Sequence, residues 1–180
     1  MNHEGKVAIF SNDAGGAEIL SSWIRARDHP FVVSLTGPAV EVFSRKIGYL
    51  KSLSIEEAID QSDWVLTSTS WSSDLEYKAI KKAKELNKFV VTFLDHWVNY
   101  RERFNWHGSE ILPDEIWVGD RDAYNLAIEV FPELNVRQLI NPYWQDFKND
   151  FQDLESIRDD GGIRILFASS NIDGIRKQQK

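Results

Sequence analysis

Seven short apolar runs punctuate the chain: VAIF at 7, FVVSL at 31, WVLTS at 64, FVVTFL at 89, EIWV at 115, VRQLI at 136 and IRILFA at 163. They are rich in Val, Ile, Phe and Leu and scarcely alternate with polar residues, as strands covered on both faces of a sheet must be. Between most of them, apolar residues recur at helical spacing. Ile19, Leu20, Trp23 and Ile24 follow the first run, Leu75, Ala79, Ile80, Ala83 and Leu86 the third, and Ala123, Leu126, Ala127 and Val130 the fifth. Ser54 with Glu57 and Ser73 with Glu76 have capping-box spacing, and Asp120 suits an N-cap. The alternation predicts a doubly wound, mostly parallel, Rossmann-like α/β domain of about six strands.

The pattern changes near the end. Residues 142 to 162 are polar and acidic, carry Trp144, Phe147, Phe151 and Leu154 near helical spacing, and close on Asp159, Asp160, Gly161 and Gly162. The last apolar run then opens what looks like a new strand and turn. The expected division is a domain at 1–142, a linker at 143–162, and at 163–180 the first strand of a second unit that is otherwise missing. Such a strand cannot bury both faces alone, so it belongs to a further domain, joins the first sheet, or pairs with a partner chain. A homodimer through residues 143–180 is the assembly this last option implies.

Composition narrows the class. The chain has 180 residues, 42% hydrophobic and 27% charged, enough for one full domain with a core. A formal charge of -7 argues against a general nucleic-acid surface, which needs concentrated Lys and Arg. The lysines of KAIKKAKELNK fall on the polar side of their helix, a solvated face. No apolar run approaches the roughly 20 residues of a membrane helix, and no basic region precedes an apolar signal core, so a cytoplasmic chain without a membrane span is expected. The lack of cysteine excludes disulfides, thiolate metal sites and cysteine nucleophiles together.

In an open parallel sheet, ligands bind outside the carboxyl ends of the strands. The segment SNDAGGAEIL lies at such an end. Gly15 and Gly16 let backbone approach a ligand, or simply permit a tight strand-to-helix turn. Asp13 beside Asn12 is placed to act as a general base or to cap the helix. The turn lacks G-x-G-x-x-G spacing and a P-loop lysine, so hydride transfer and ATP hydrolysis are poorly supported. After the third strand, TSTSWSSDLE offers Ser70 and Trp71 to a sugar or phosphate, although its serines also suit caps. No G-x-S-x-G elbow is present. The D-x-D at Asp120 and Asp122 fits a helix start better than a metal site.

The stretch LDHWVNYRERF, 94–104, carries the densest chemistry and follows the fourth strand. Asp95 beside His96 suits a tuned base, Arg101 and Arg103 suit carboxylate or phosphate recognition, and Trp97 and Tyr100 offer flat faces to a sugar ring. The alternative is a loop anchored by its aromatics, with Asp95 paired to Arg101 or Arg103 and no ligand. Asp95, His96 and His107 have no compelling ligand spacing, and no metal is expected.

Taken in order, SNDAGGAEIL, the segment from DWVLTSTSW to NYRERF, LPDEIWVGDRDAYNLAIEVFP and INPYWQDF resemble the N-terminal half of bacterial GT-B type glycosyltransferase-like proteins of polysaccharide biosynthesis. The layout of nucleotide-sugar 2-epimerases is more distantly similar. The resemblance covers about residues 5–150 and rests on Asp13, Gly15, Gly16, Asp95, His96, Arg101 and Arg103. It implies a domain that holds a sugar or glycan acceptor and supplies a base, while a second domain holds most of the nucleotide-sugar donor. The nucleotide sugar would be a co-substrate, with no further cofactor. The chain departs from that pattern in lacking nearly all of the second domain, which implies that it is inactive alone. Two other functions fit the residues: a sugar-nucleotide 2-epimerase-like enzyme, and a non-catalytic sugar-binding, nucleotide-binding or assembly domain.

Overall fold

The computed structural model describes residues 4–150; the strand expected at 163 and the linker beyond 150 lie outside the described residues. In chain order come β1 (Val7–Ser11), α1 (Ala14–Arg25), β2 (Phe31–Leu35), α2 (Ala39–Ile47), α3 (Ile55–Asp60), β3 (Trp64–Thr67), α4 (Leu75–Glu85) and β4 (Phe89–Leu94). A 3-10 turn (Glu102–Phe104) and a hairpin of β5 (Asn105–Trp106) and β6 (Ser109–Glu110) follow. Then come β7 (Glu115–Val118), α5 (Arg121–Val130), β8 (Asn135–Gln138) and α6 (Pro142–Asp150).

The six strands expected before residue 150 form one sheet in the order β2-β1-β3-β4-β7-β8, each neighbouring pair parallel. The fold is therefore the doubly wound α/β architecture the pattern predicts. Alternation along each strand divides its apolar side chains between two cores. Val7, Ile9, Leu66, Val91 and Phe93 pack with α1 and α2, while Ala8, Phe10, Val65, Val90 and Ile116 pack with α3, α4 and α5. Each such Val, Leu, Ile or Phe contributes about 1.5–3 kcal/mol when fully buried. Among the described residues no helix is long and apolar enough to cross a membrane.

Two helix starts carry the side-chain caps that the sequence suggests. Ser54 and Glu57 form the reciprocal capping box at α3 (3.1 and 3.0 Å), and Asp120 accepts the Ala123 N–H at 2.8 Å. Ser73 and Glu76 form no such box. Asp74 is the N-cap of α4, Ser73 Oγ takes the Leu75 N–H, and Glu76 turns inward. Its Oε1 accepts from Asn12 N–H and Ser68 Oγ at the strand ends, and its Oε2 is buried without a partner among the described residues.

Within the expected linker, residues 142–150 form a helix docked on the domain. Asp146 of α6 accepts from Ser22 Oγ of α1 at 2.9 Å and pairs with Arg25 and Lys46, each at 3.3 Å. Trp23, Trp64 and Trp117 bury together with centroids 5.6–6.1 Å apart, so these tryptophans serve the core.

Candidate functional site

The strand order reverses direction between β1 and β3, and the loops leaving their carboxyl ends diverge there. Side-chain hydroxyls tie the strand ends together: Ser11 Oγ to Ser68 Oγ at 2.8 Å, and Thr67 Oγ1 to Thr92 Oγ1 at 2.7 Å. Glu76 reaches this point from α4, accepting the Asn12 backbone N–H at 2.7 Å and the Ser68 hydroxyl at 3.2 Å. Its carboxyl is pushed above the usual carboxylate range by burial, a shift its hydrogen bonds partly offset.

Asn12 is occupied internally. Its Nδ2 donates to Thr36 Oγ1 at 2.8 Å, and its Oδ1 accepts from Ser70 Oγ and Ser72 Oγ, each at 3.1 Å. Asn12 and Ser70 therefore fix the loops after β1, β2 and β3 against one another. Asp13 follows at the N-cap position of α1, but its side chain makes no capping bond. The carboxylate is left for the rim.

The two glycines have separate steric reasons. A Cβ on Gly15 would stand 2.6 Å from Asp95 Oδ2, and one on Gly16 would collide with Ser68 Cβ. The first turn of α1 is thus pressed against the ends of β3 and β4, which brings Asp13 and Asp95 together. The acceptor atoms of Asp13, Asp95 and His96 all lie within 4.8 Å of one another.

Asp95 is the unusual member. Its side chain is 3% exposed, yet among the described residues neither carboxylate oxygen has a hydrogen-bond partner. His96 Nε2 approaches Oδ2 to 3.2 Å without hydrogen-bond alignment. Burial raises the Asp95 carboxyl above its ordinary range, and the charges of His96 and Arg103 oppose that shift.

The two arginines of the motif part company. Arg101 is held by Glu110 (2.9 and 3.1 Å), Glu133 (2.8 Å) and the Val130 carbonyl (3.1 Å), clamping the hairpin loop to the end of α5. The hydrogen bonds it donates to Glu110 and Glu133 raise its pKa. Arg103 donates to Thr69 Oγ1 at 3.0 Å and the Val98 carbonyl at 3.3 Å, and lies 5.2 Å over the Trp71 ring. It forms no carboxylate ion pair among the described residues, and burial lowers its pKa against the pull of Asp95 and Asp13. Neither arginine neutralises Asp95 by direct pairing.

The motif aromatics divide similarly. Tyr100 is buried, stacked near Phe131 at 6.3 Å, and its hydroxyl is pushed up to about 12, chiefly by burial. That ring packs into the core, and its hydroxyl, without a hydrogen-bond partner among the described residues, feels the charges of Asp120, Arg103 and Asp95. Trp97 and Trp71 are exposed, and Trp97 Nε1 donates to Asp120 at 3.1 Å. His107 sits at the turn of the β5–β6 hairpin with φ +51°, away from the Asp13 cluster.

Beside that cluster lies a cavity of about 380 Å³. Asp95, His96 and Trp97 form one wall, Glu18 and Gly15 of α1 another, and Tyr143 and Trp144 of α6 a third, with Asp120 at the end of β7. Glu76, Glu18, Tyr143 and Trp144 were not among the sequence candidates. Glu76 carried a readable signal, an acid beside the apolar stripe of α4; the α6 aromatics lay in a segment that reads as linker.

No family model matches the chain, and no curated protein matches it.

Proposed function

We propose that the chain is the acceptor-side domain of a nucleotide-sugar-dependent glycosyltransferase. The observation that carries this reading is the convergence of Asp13 with Asp95 and His96, within 4.8 Å, at the carboxyl edge of the sheet beside an aromatic-walled cavity. Trp97, Tyr143 and Trp144 offer apolar faces for a sugar ring, while the acids around them accept from its hydroxyls.

In this reading the acceptor hydroxyl sits against the Asp13, Asp95 and His96 group, which takes its proton. The oxygen attacks the anomeric carbon of the donor, the new glycosidic bond forms, and the bond to the nucleoside diphosphate breaks with its electron pair leaving on the diphosphate. A carboxyl raised by burial, as at Asp95, is better matched to proton transfer near neutral pH than an ordinary one. Arg103, free of carboxylate ion pairs among the described residues, is the guanidinium available to the departing diphosphate. Arg101, already clamped, is not. Among the described residues the cavity wall carries Glu18, Asp95 and Asp120, with Glu18 paired to Arg45 and Lys46.

The test is binding. Chemical-shift mapping with a panel of nucleotide sugars and simple glycans should perturb the amides of 12–16, 68–71 and 95–97. A panel that leaves these loops unmoved would sink the reading.

The same clustering supports a second one, a sugar-nucleotide 2-epimerase-like enzyme, which needs several acid/base groups around one carbon. Incubation of donor without acceptor separates the two: nucleotide release or epimerised sugar favours the second.

A further inference from the structure

We propose that Asp13, Asp95 and His96 bind a divalent first-row transition cation. The two carboxylates and one imidazole present their ligand atoms within 4.8 Å of one another, which small side-chain adjustments about a central ion would close. Such a mixed oxygen and nitrogen set suits Mn²⁺ or Zn²⁺ and suits Mg²⁺ poorly, since imidazole is a weak partner for the hardest cations.

Two further observations point to a ligand. The first is the state of Asp95. A side chain 3% exposed with both oxygens unpartnered is costly, because buried polar groups ordinarily find donors. A cation at the rim supplies the missing partner. The second is the 3.2 Å approach of His96 Nε2 to Asp95 Oδ2 without hydrogen-bond alignment. Two ligands each about 2.0–2.2 Å from one ion, at an angle of roughly 100°, stand about 3.2 Å apart. Gly15 completes the arrangement, since any side chain there would fill the space the Asp95 carboxylate uses.

The opposing charges are identifiable. Arg103 interacts with both carboxylates from the Thr69 side, and the N-terminus of α1 adds a partial positive charge. Two carboxylates outweigh one guanidinium, leaving a single net negative charge for the ion to meet. With three protein ligands, the cation keeps open positions for water or a ligand hydroxyl, whose pKa it would lower.

This inference stands on the geometry of the trio and does not require sugar transfer. In the cation-bound form the trio would activate a hydroxyl through the ion rather than by taking its proton directly.

The test uses the full chain, stripped with chelator and titrated separately with Mn²⁺, Zn²⁺ and Mg²⁺ by calorimetry, with no sugar or nucleotide present. One site per chain is expected, with Mg²⁺ weakest, and Mn²⁺ should broaden the amide signals of Asp13, Gly15 and His96 first. Asp95→Asn and His96→Gln should each lower Mn²⁺ affinity by more than the roughly 10–100-fold that loss of an outer-shell partner costs. His96 is partly exposed, so its variant probes the site without disturbing the core. Absence of binding at millimolar Mn²⁺ and Zn²⁺, broadening elsewhere, or unchanged affinity in both variants overturns the proposal. Sugar-nucleotide mapping, run separately, reports on the glycosyltransferase reading.

Discussion

Gly15 and Asp95 are mutually dependent: a Cβ at position 15 would stand 2.6 Å from Asp95 Oδ2, so the glycine is the space in which that carboxylate sits. Gly15→Ala should displace the Asp95 side chain, which can swing. Gly16→Ala drives a Cβ into Ser68 at the end of β3, which cannot move without its strand. We expect G16A to cost about 1–3 kcal/mol of stability, the range for overpacking, and G15A to cost less while disturbing ligand or cation binding more. Chemical denaturation alongside binding titrations checks the ordering, and a larger stability loss in G15A would contradict it.

Asp95→Asn should make the metal-free protein more stable near neutral pH. The carboxylate is buried without hydrogen-bond donors, and its pKa is raised by that burial. Replacing a charge by a neutral isostere relieves part of an unsatisfied-group cost of about 1–3 kcal/mol, with the attraction of His96 and Arg103 reducing the gain. Thermal unfolding with and without chelator measures it; a lower Tm in the chelated variant would show that Asp95 is satisfied in some other way.

Glu76 sets a pH dependence of folding. Its carboxyl is raised above the ordinary 4.5 by burial, so the folded state holds the proton where the unfolded chain has lost it. Its favourable contribution is complete below the ordinary value and declines as pH rises toward the folded one. Glu76→Gln keeps the acceptor for the Asn12 N–H and cannot ionise. The stability of E76Q relative to wild type should therefore rise with pH from about 4.5 upward, as urea unfolding across pH 4–8 would reveal. A flat difference would mean that Glu76 is ionised in the fold.

Arg101 and Arg103 should separate cleanly in experiment. Arg101→Ala unclamps the loop from Glu110 and Glu133, so hydrogen exchange of residues 105–110 should quicken while nucleotide-sugar affinity holds. Arg103→Ala should leave that exchange unchanged and weaken diphosphate binding by about 10- to 100-fold, the worth of charge-assisted hydrogen bonds of ~1.5–3 kcal/mol. Equal effects of both changes on affinity would remove the distinction drawn between them.

The parallel sheet was legible because its strands are buried on both faces and so read as unbroken apolar runs. The hairpin of β5 and β6 was not, since two-residue strands leave no periodicity to detect. Helix α2 escaped for another reason: its buried set, Ala39, Val42 and Phe43, is too small to make a stripe. At the site, Asp13, Asp95 and His96 could be gathered in advance because strand ends of a doubly wound sheet share one rim. Which side chains stay free could not be foreseen. Tyr100 went to the core and Arg101 to two glutamates because partners distant in sequence, Phe131, Glu110 and Glu133, were waiting there.

The cavity beside the trio owes a wall to α6, which is seated on α1 through Asp146 and enters from Asn141, whose Oδ1 accepts the Tyr143 N–H at 3.0 Å. Gly119 lies tight against Asn141 at the start of that helix, and Asp146 and Asp150 tie its far half to Ser22, Arg25 and Lys46. Tyr143 packs against the core of α1 and α2 and lies 4.9 Å beneath Lys46 Nζ, so the wall is anchored through this ring as well. Salt would screen the exposed Arg25–Asp150 pair and leave the Lys46–Asp146 pair, 11% exposed on each side, nearly untouched, so that wall of the cavity should keep its place as ionic strength rises.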